Sequence, residues 1–357
     1  MLYKKESYRV IGVMSGTSLD GIDIAEISFS YTEDNVLSFS LGIAETIPYS
    51  DTWKSILQEA IHYSKGRLDT LNKKYTAHLA KTITAFISKN KLQSIDAVCS
   101  HGHTILHQPD KGVTLQIGNL PELATLLQQT VVCDFRVQDV FLGGQGAPLV
   151  PIGDQLLFAN YDYCLNLGGF ANCSSEIDGI RIAYDICPVN IVLNSLAEKI
   201  GLPYDEDGKI ASNSKVDQTL LRQLNALPFY KAAAPKSLGL EWVQQFVFPL
   251  LAGAKISVQD KIATFTEHIA QQLAAQFEPA STILVTGGGT YNSFLLEQLR
   301  QHNKVRVELP TPQLIEFKEA LVFGLLGVLR LRNEINCLAS VTGAKNDHSS
   351  GVIFSPS

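Results

Sequence analysis

One plan is written twice along this chain, and two copies of it leave few folds open. Residues 9–25 run as an apolar strand (10–14), a tip of small residues (Ser15-Gly16-Thr17-Ser18) and a second apolar–polar run from Ile22. A third strand pattern follows at 36–47, then helices at 51–64 and 68–90, strands at 95–99, 114–117 and 131–133, and a helix at 121–128. In the second of those helices Leu71, Tyr75, Leu79, Ile83 and Phe86 recur at three- and four-residue spacing, the signature of one buried face. From Tyr163 the plan returns: strand 163–167, the turn Gly168-Gly169, strand 171–177, and strand 180–184 ending at Asp185. Helices at about 187–199, 214–225, 240–250 and 259–277 come next, then strand 282–286, the turn Gly287-Gly288-Gly289, a helix at 291–301 and a strand at 304–308. An apolar helix at 316–332 leads into a Gly/Ser-rich tail, 335–357. Three strands followed by alternating helices and strands describe an α/β domain. Two copies predict two like domains facing across a cleft, here residues 1–140 with about 338–357, and residues 141–337.

The tips suggest what the cleft holds. Glycine can take φ > 0 and lets a phosphate approach the main chain. Thr17 and Ser18 add hydroxyl donors, and Asp20 and Asp23 add carboxylates able to hold hydrated Mg²⁺. No G-x-x-x-x-G-K-[ST] is present, so this is not a Walker loop, and an ordinary glycine-turned hairpin is the alternative. The Gly287-Gly288-Gly289 turn opens a helix, whose N-terminal dipole favours anions; a plain strand-to-helix turn is its alternative. Three glycine-rich turns at one cleft suit a nucleoside triphosphate. The Gly/Pro-rich stretch 143–151 lacks the Ser, Lys and Glu of a solvated linker and fits a packed, cleft-lining loop.

Composition removes several classes. A net charge of −6 and a pI near 5.8 argue against nonspecific nucleic-acid binding. The longest apolar run, 320–331, is too short to span a bilayer and carries Arg330, so it reads as a buried helix and no membrane partner is expected. Residues 1–10 hold no apolar signal core, so export is not expected. The six cysteines form no C-x-x-C and sit mostly in apolar runs, which points to buried free thiols and disfavours zinc. No H-E-x-x-H occurs, which removes a metalloprotease of that type.

The motifs, in order, are MSGTSLDGID (14–23), SHGHTILHQP (100–109), TLQIGN (114–119), VCDFRVQDVFLGGQGAPLVP (132–151), NLGGFAN (166–172), YDICPVN (184–190), APKSLGLEW (234–242), TGGGTYN (286–292), EA (319–320) and SVTGA (340–344). Over essentially its whole length the chain resembles the anhydro-N-acetylmuramic acid kinase family. The resemblance implies a duplicated actin/hexokinase/Hsp70-type (ribonuclease H-like) two-domain ATPase fold with a central cleft. It implies ATP-dependent opening of the 1,6-anhydro ring with phosphorylation at O6, in the recycling of cell-wall fragments in the cytoplasm, by a homodimer.

Such chemistry needs a base to activate water at the anomeric carbon and stabilisation of the transferring phosphoryl group. Asp185 occupies the position of the family's catalytic aspartate, at the end of an apolar strand where burial tunes its pKa; an N-cap of the next helix is the alternative. The resemblance carries Gly16, Thr17, Ser18, Leu19, Asp20, Gly21, Ile22 and Asp23 over as an ATP phosphate loop, with Gly168 and Gly169 as its echo and Gly287, Gly288, Gly289 and Asn292 as a further nucleotide segment. Mg²⁺ is assigned to Asp20 and Asp23 through water. For the sugar it implies Thr17, His101, Arg136 and Glu319. Arg136 can grip the lactyl carboxylate with two parallel hydrogen bonds, or else form an interdomain salt bridge. Glu319 suits sugar hydroxyls, or else is a solvated helix charge. His101, His103 and His107 lie two and four apart without nearby carboxylates, which favours polar lining for His101 and a structural role for His107 over a metal. The chain departs from the family at Ile186, Cys187 and Val189, expected to crowd the phosphate or sugar, and at His103, Leu238 and Leu240. Those departures keep open a kinase for a different anhydro sugar, or a non-catalytic ATP-binding protein of Hsp70 type; a chaperone would be expected to add a peptide-binding extension.

Overall fold

The computed structural model describes all residues except 1–3, 17, 35 and 357. Twelve strands follow in chain order: β1 Ser7–Ser15, β2 Gly21–Tyr31, β3 Leu37–Pro48, β4 Ala97–Gln108, β5 Val113–Ile117, β6 Val131–Cys133, β7 Tyr163–Leu167, β8 Phe170–Ile177, β9 Ile180–Pro188, β10 Thr282–Thr286, β11 Arg306–Glu308 and β12 Val352–Phe354. They form two sheets, ordered β12-β6-β4-β1-β2-β3 with β5 on β4, and β11-β10-β7-β8-β9. In each sheet the first three strands are an antiparallel meander, and later strands add parallel to its first strand: β4 then β6 beside β1, β10 then β11 beside β7. The same order and directions, twice, are the two like α/β domains that the repeated pattern predicted.

The chain divides into two compact units, the residues up to Leu157 with those from Phe317 onward, and Phe158–Glu316. The sequence-based division lay at 140/141 and 337/338. In the first unit the centre of the sheet is buried on both faces, which is why β1 and the start of β4 read as continuous apolar runs. β3 lies at the sheet edge and alternates exposed and half-buried positions. One face is covered by the helix Lys65–Lys89, through Leu71, Tyr75, Leu79, Ile83 and Phe86. The helix Pro312–Leu331 loses regular geometry at Phe317 (φ −110°, ψ 15°), where the first unit resumes. Beyond that point it lies against the sheet so closely that a Cβ on Gly12 would stand 2.1 Å from the Ala320 carbonyl oxygen, and one on Gly327 2.1 Å from Cys99 Sγ. That contact fixes where the next polar residues, Lys318 and Glu319, emerge.

Residues 335–356, expected as part of a tail, are built into the fold. They hold a short helix, Ala339–Thr342, and β12, which pairs antiparallel with β6. A Gly/Ser-rich stretch lacks an apolar face, so side chains order it instead: buried Asn336 donates to the carbonyls of Leu326 and Ser350 and accepts from Ser350 N–H. The second unit packs its helices around one core that includes Leu165, Leu167, Cys173, Phe265, Ile283 and Leu296. Among the described residues no helix is long and apolar enough to cross a membrane.

Candidate active-site residues

In the second unit the two expected glycine turns come together. The turn after β10 lies on the β7–β8 turn: a Cβ on Gly287 (φ +85°) would stand 2.6 Å from Asn166 Oδ1, and one on Gly289 2.8 Å from Leu167 Cβ. These two positions are glycine because the chain passes too close for anything larger. Gly168, Gly169 and Gly288 are different, since a Cβ there would meet nothing nearer than 3.3 Å, 3.8 Å and 3.9 Å. Gly169 and Gly288 are also exposed, so packing gives no reason for their lack of a side chain. Space beside bare main chain is what an anion needs. Asn190 Nδ2 donates to Leu167 O at 3.3 Å and stands beside the same turns. Asn190 and Asn166 were absent from the sequence-derived site, though both lie inside the quoted motifs. The expected helix start after the glycines is displaced: a 3₁₀ turn, Gly288–Tyr291, intervenes, and the helix Ser293–His302 is capped by Asn292, whose Oδ1 accepts from Leu295 N–H at 3.0 Å. The Asn292 acceptor is therefore committed to the fold.

Asp185 is the sixth residue of β9, opposite Asn172, not the end of a strand. It caps no helix either, because Asn190–Glu198 begins after Val189. The strand runs on because Ile186, Cys187 and Val189 are buried in the core, 1% exposed or less. The side chains of those three departures, expected to crowd the phosphate or the sugar, lie in the core. A second segment holds Asp185: its N–H donates to Lys236 O at 2.9 Å, and its Oδ2 accepts from Leu238 N–H at 2.7 Å. Among the described residues no donor reaches Oδ1. Burial pushes the carboxyl above the ordinary aspartate range, and the Leu238 N–H pulls it partly back. Because that donor is main chain, a leucine at 238 supplies it as well as a threonine would.

In the first unit, Gly16 has room around it, while Gly21 lies against β3. Leu19 takes the left-handed region (φ 62°), a strained conformation for a leucine, while its side chain joins the core. Ile22 is also core, so both contribute to the loop only through their backbones. Thr17 lies outside the described residues; Ser18 and Asp20 are exposed. Asp23, half-buried on β2, accepts from Thr46 Oγ1 at 2.6 Å. Beneath the loop a chain of side chains escaped sequence reasoning: Ser15 Oγ lies 2.9 Å from His103 Nδ1 and 2.7 Å from Tyr49 OH, which in turn meets Tyr75 OH. Pairing of β1 with β4 sets Ser15 beside His103. Burial lowers His103 to about 4, so it is a neutral hydrogen-bonding group at physiological pH.

His101, on the same strand, is 3% exposed and packs on Phe323. Its Nε2 accepts from Arg136 Nε at 2.9 Å, and Arg136 Nη1 donates to Gly146 O at 2.6 Å. Burial and the adjacent guanidinium hold the His101 imidazole well below its usual range, in its neutral form. Among the described residues Arg136 makes no salt bridge. With Nε engaged, its free N–H groups are at the end of the fork, so a carboxylate would be gripped end-on. Loop 143–151 is packed, with Gly144, Gly146 and Leu149 buried. His107 is exposed and pairs with Thr114 across β4–β5. Glu319 reaches solvent, yet enclosure by protein raises its carboxyl, while Arg136 lowers it and Asp23 raises it. Its neighbour Lys318 is fixed by a buried ion pair with Asp154 at 2.7 Å. The first unit thus gathers Asp23, His101, Arg136 and Glu319 into one electrostatic neighbourhood.

The model of the family described as anhydro-N-acetylmuramic acid kinase matches residues 8–356. An anhydro-N-acetylmuramic acid kinase of Azorhizobium caulinodans is 36% identical over 98% of this chain and 99% of its own length. One of Haemophilus influenzae is 33% identical over 99% of each. Among solved structures, component A of (R)-2-hydroxyglutaryl-CoA dehydratase from Acidaminococcus fermentans aligns over 91% of this chain and 99% of its own, at 11% identity and a TM-score of 0.43.

Proposed function

The chain belongs to the anhydro-N-acetylmuramic acid kinase family, and from that premise we propose that it is an ATP-dependent kinase that hydrolytically opens 1,6-anhydro-N-acetylmuramic acid and phosphorylates O6. The products are N-acetylmuramate 6-phosphate and ADP. The observation that carries the reading is Asp185, a desolvated carboxylate with one oxygen fixed by a backbone N–H and the other without a donor among the described residues.

A 1,6-anhydro sugar has no free 6-hydroxyl, so ring opening and phosphoryl transfer must be linked. Asp185 Oδ1 takes a proton from water as the water oxygen bonds to C1. The electron pair of the breaking C1–O6 bond goes to O6, which takes the γ-phosphoryl group of ATP. A fixed Oδ2 leaves Oδ1 oriented for one proton transfer, and partial desolvation raises its basicity. Arg136, held by His101 and Gly146, offers the end of its fork to the lactyl carboxylate, and Glu319 accepts from sugar hydroxyls. Gly168, Gly169 and Gly288 leave room for phosphate, as does Gly16. The donor set of Asp20 and Asp23, hard carboxylate oxygens near solvent, fits Mg²⁺ held through water. That ion, when bound, offsets phosphate charge.

Six buried free thiols support a reducing compartment, the cytoplasm, as the place of action. Phe141, 87% exposed, and Val137 one turn before it support a protein–protein contact in a homodimer. Incubation with ATP, Mg²⁺ and 1,6-anhydro-N-acetylmuramate should give the 6-phosphate by mass. Turnover of another anhydro sugar alone would move the substrate, and tight ATP binding with no sugar turned over would favour a sensor.

A further inference from the structure

We propose that Asp139, Cys337 and His348 form a binding site for one Zn²⁺ ion inside the first unit, clamping the 335–351 segment to the loop that supports Arg136. Asp139 Oδ1, Cys337 Sγ and His348 Nε2 lie within 4.8 Å of one another, and all three residues are buried. Cys337 Sγ stands 3.1 Å and His348 Nε2 3.6 Å from Asp139 Oδ1. A tetrahedron with Zn–S of about 2.3 Å and Zn–N and Zn–O of about 2.0 Å has edges of roughly 3.3–3.5 Å. The two edges that meet at Asp139 Oδ1 are therefore already near those lengths.

His348 points to the occupant. It is 7% exposed, and its Nε2 has no hydrogen-bond partner among the described residues. Its Nδ1 lies 3.1 Å from Asn346 O, which places the proton on Nδ1 and leaves a lone pair on Nε2. A buried lone pair facing a carboxylate oxygen calls for a cation between the two, a proton or a metal ion. The supporting shell is also built. Asp139 Oδ2 accepts from Gly146 N–H at 2.7 Å, and its Oδ1 accepts from Thr342 Oγ1 at 2.7 Å, so both carboxylate oxygens are held in place. Gly144 passes so close that a Cβ there would stand 2.2 Å from Oδ2.

Charge and softness select the metal. Zn²⁺ with one thiolate and one carboxylate is neutral, as a buried site requires. Sulfur and imidazole favour it over Mg²⁺. On binding, the Cys337 S–H, which now donates to Asp139, loses its proton to solvent as the S–Zn bond forms. Gly146 then links the ion to the sugar residues, since its N–H bonds Asp139 and its carbonyl accepts from Arg136.

The test uses the full chain, stripped with a chelator and titrated without nucleotide. One equivalent of Zn²⁺ should bind and raise Tm, and Co²⁺ should give a thiolate charge-transfer band. Cys337→Ser should abolish that band, and both Cys337→Ser and His348→Gln should weaken Zn²⁺ binding by more than ~100-fold, the upper end of what losing even a supporting partner does. Cys133→Ser should keep both the band and the affinity. Unchanged zinc affinity in Cys337→Ser overturns the site. If that variant does not fold, the wild-type chain decides: no cobalt–thiolate band and no Tm rise with Zn²⁺ overturn it equally.

Discussion

In the first unit the glycine-tipped hairpin ends among side chains that carry charge or protons: Asp23, His101, His103, Arg136 and Glu319. In the second unit, the same strands in the same order end in almost bare main chain, with Asn166, Asn190 and one carboxylate, Asp185. Topology alone therefore does not assign chemistry. The strand plan supplies a tip at the same place twice, and the residues from the third strand onward decide what the tip does. In the first unit β4 and the 132–151 segment bring imidazoles and a guanidinium. In the second, β9 brings the aspartate and the 235–239 segment immobilises it. On the proposed function, the first copy holds the sugar, and the second leaves space for phosphate and moves one proton.

The sharpest break of that contrast is Asp185→Asn. Loss of a general base should lower turnover about 10²–10⁴-fold while ATP affinity is held. A folded-state pKa above the unfolded value means that the folded chain holds the proton more tightly, so ionisation at neutral pH weakens the fold. The variant should therefore melt no lower than the wild type. Sugar phosphate by mass, ATP titration and a melting curve check the three parts, and full activity would end the base assignment.

Arg136→Ala probes the other unit. A charge-assisted contact contributes about 1.5–3 kcal/mol, so KM for the anhydro sugar should rise roughly 10–100-fold with kcat changed far less. A sugar analogue lacking the lactyl carboxylate should show no such loss. Equal losses for both sugars would make Arg136 a structural residue.

The glycines of the second unit can be split by one methyl group. Gly287→Ala forces a left-handed alanine against Asn166 and Leu167 and should lower stability by about 1–3 kcal/mol, read as a fall in Tm. Gly288→Ala has room and should keep Tm, yet weaken ATP binding if phosphate lies against that backbone. Wild-type ATP affinity in Gly288→Ala would remove this turn from the nucleotide site.

Much of the division between the units was legible from residues. The duplicated plan, the central strands and the glycine tips followed from apolar runs and turn residues, because these are local signals. Arg136 and Glu319 came from the family resemblance and not from any local pattern. The illegible parts depend on contacts between distant segments. β9 continued past Asp185 because Ile186, Cys187 and Val189 meet a core assembled from helices far along the chain. Asn336 orders a stretch whose composition reads as tail. His103 was visible only as one of three histidines, since its link to Ser15 comes from the parallel pairing of β4 on β1. Asp139 and Cys337 are 198 positions apart, so cysteine spacing, which disfavoured zinc, carried no information about them.

The smallest expected effect is the most specific. The Leu238 N–H lowers the Asp185 pKa, against the larger upward push of burial. A base works only when deprotonated, so the acid limb of the kcat profile should track that group. Leu238→Ala keeps the N–H and should leave the limb in place. Leu238→Pro removes the only donor to Oδ2 among the described residues. The folded-state pKa should then rise further and the acid limb move to higher pH, with activity recovered on the alkaline side. A loss that is equal at every pH would mean that the proline displaced the segment, and Leu238→Ala with the same profile as wild type separates that outcome from a side-chain role. If the limb stays fixed in both variants, a different group titrates, and the contrast between a binding unit and a proton-moving unit no longer holds.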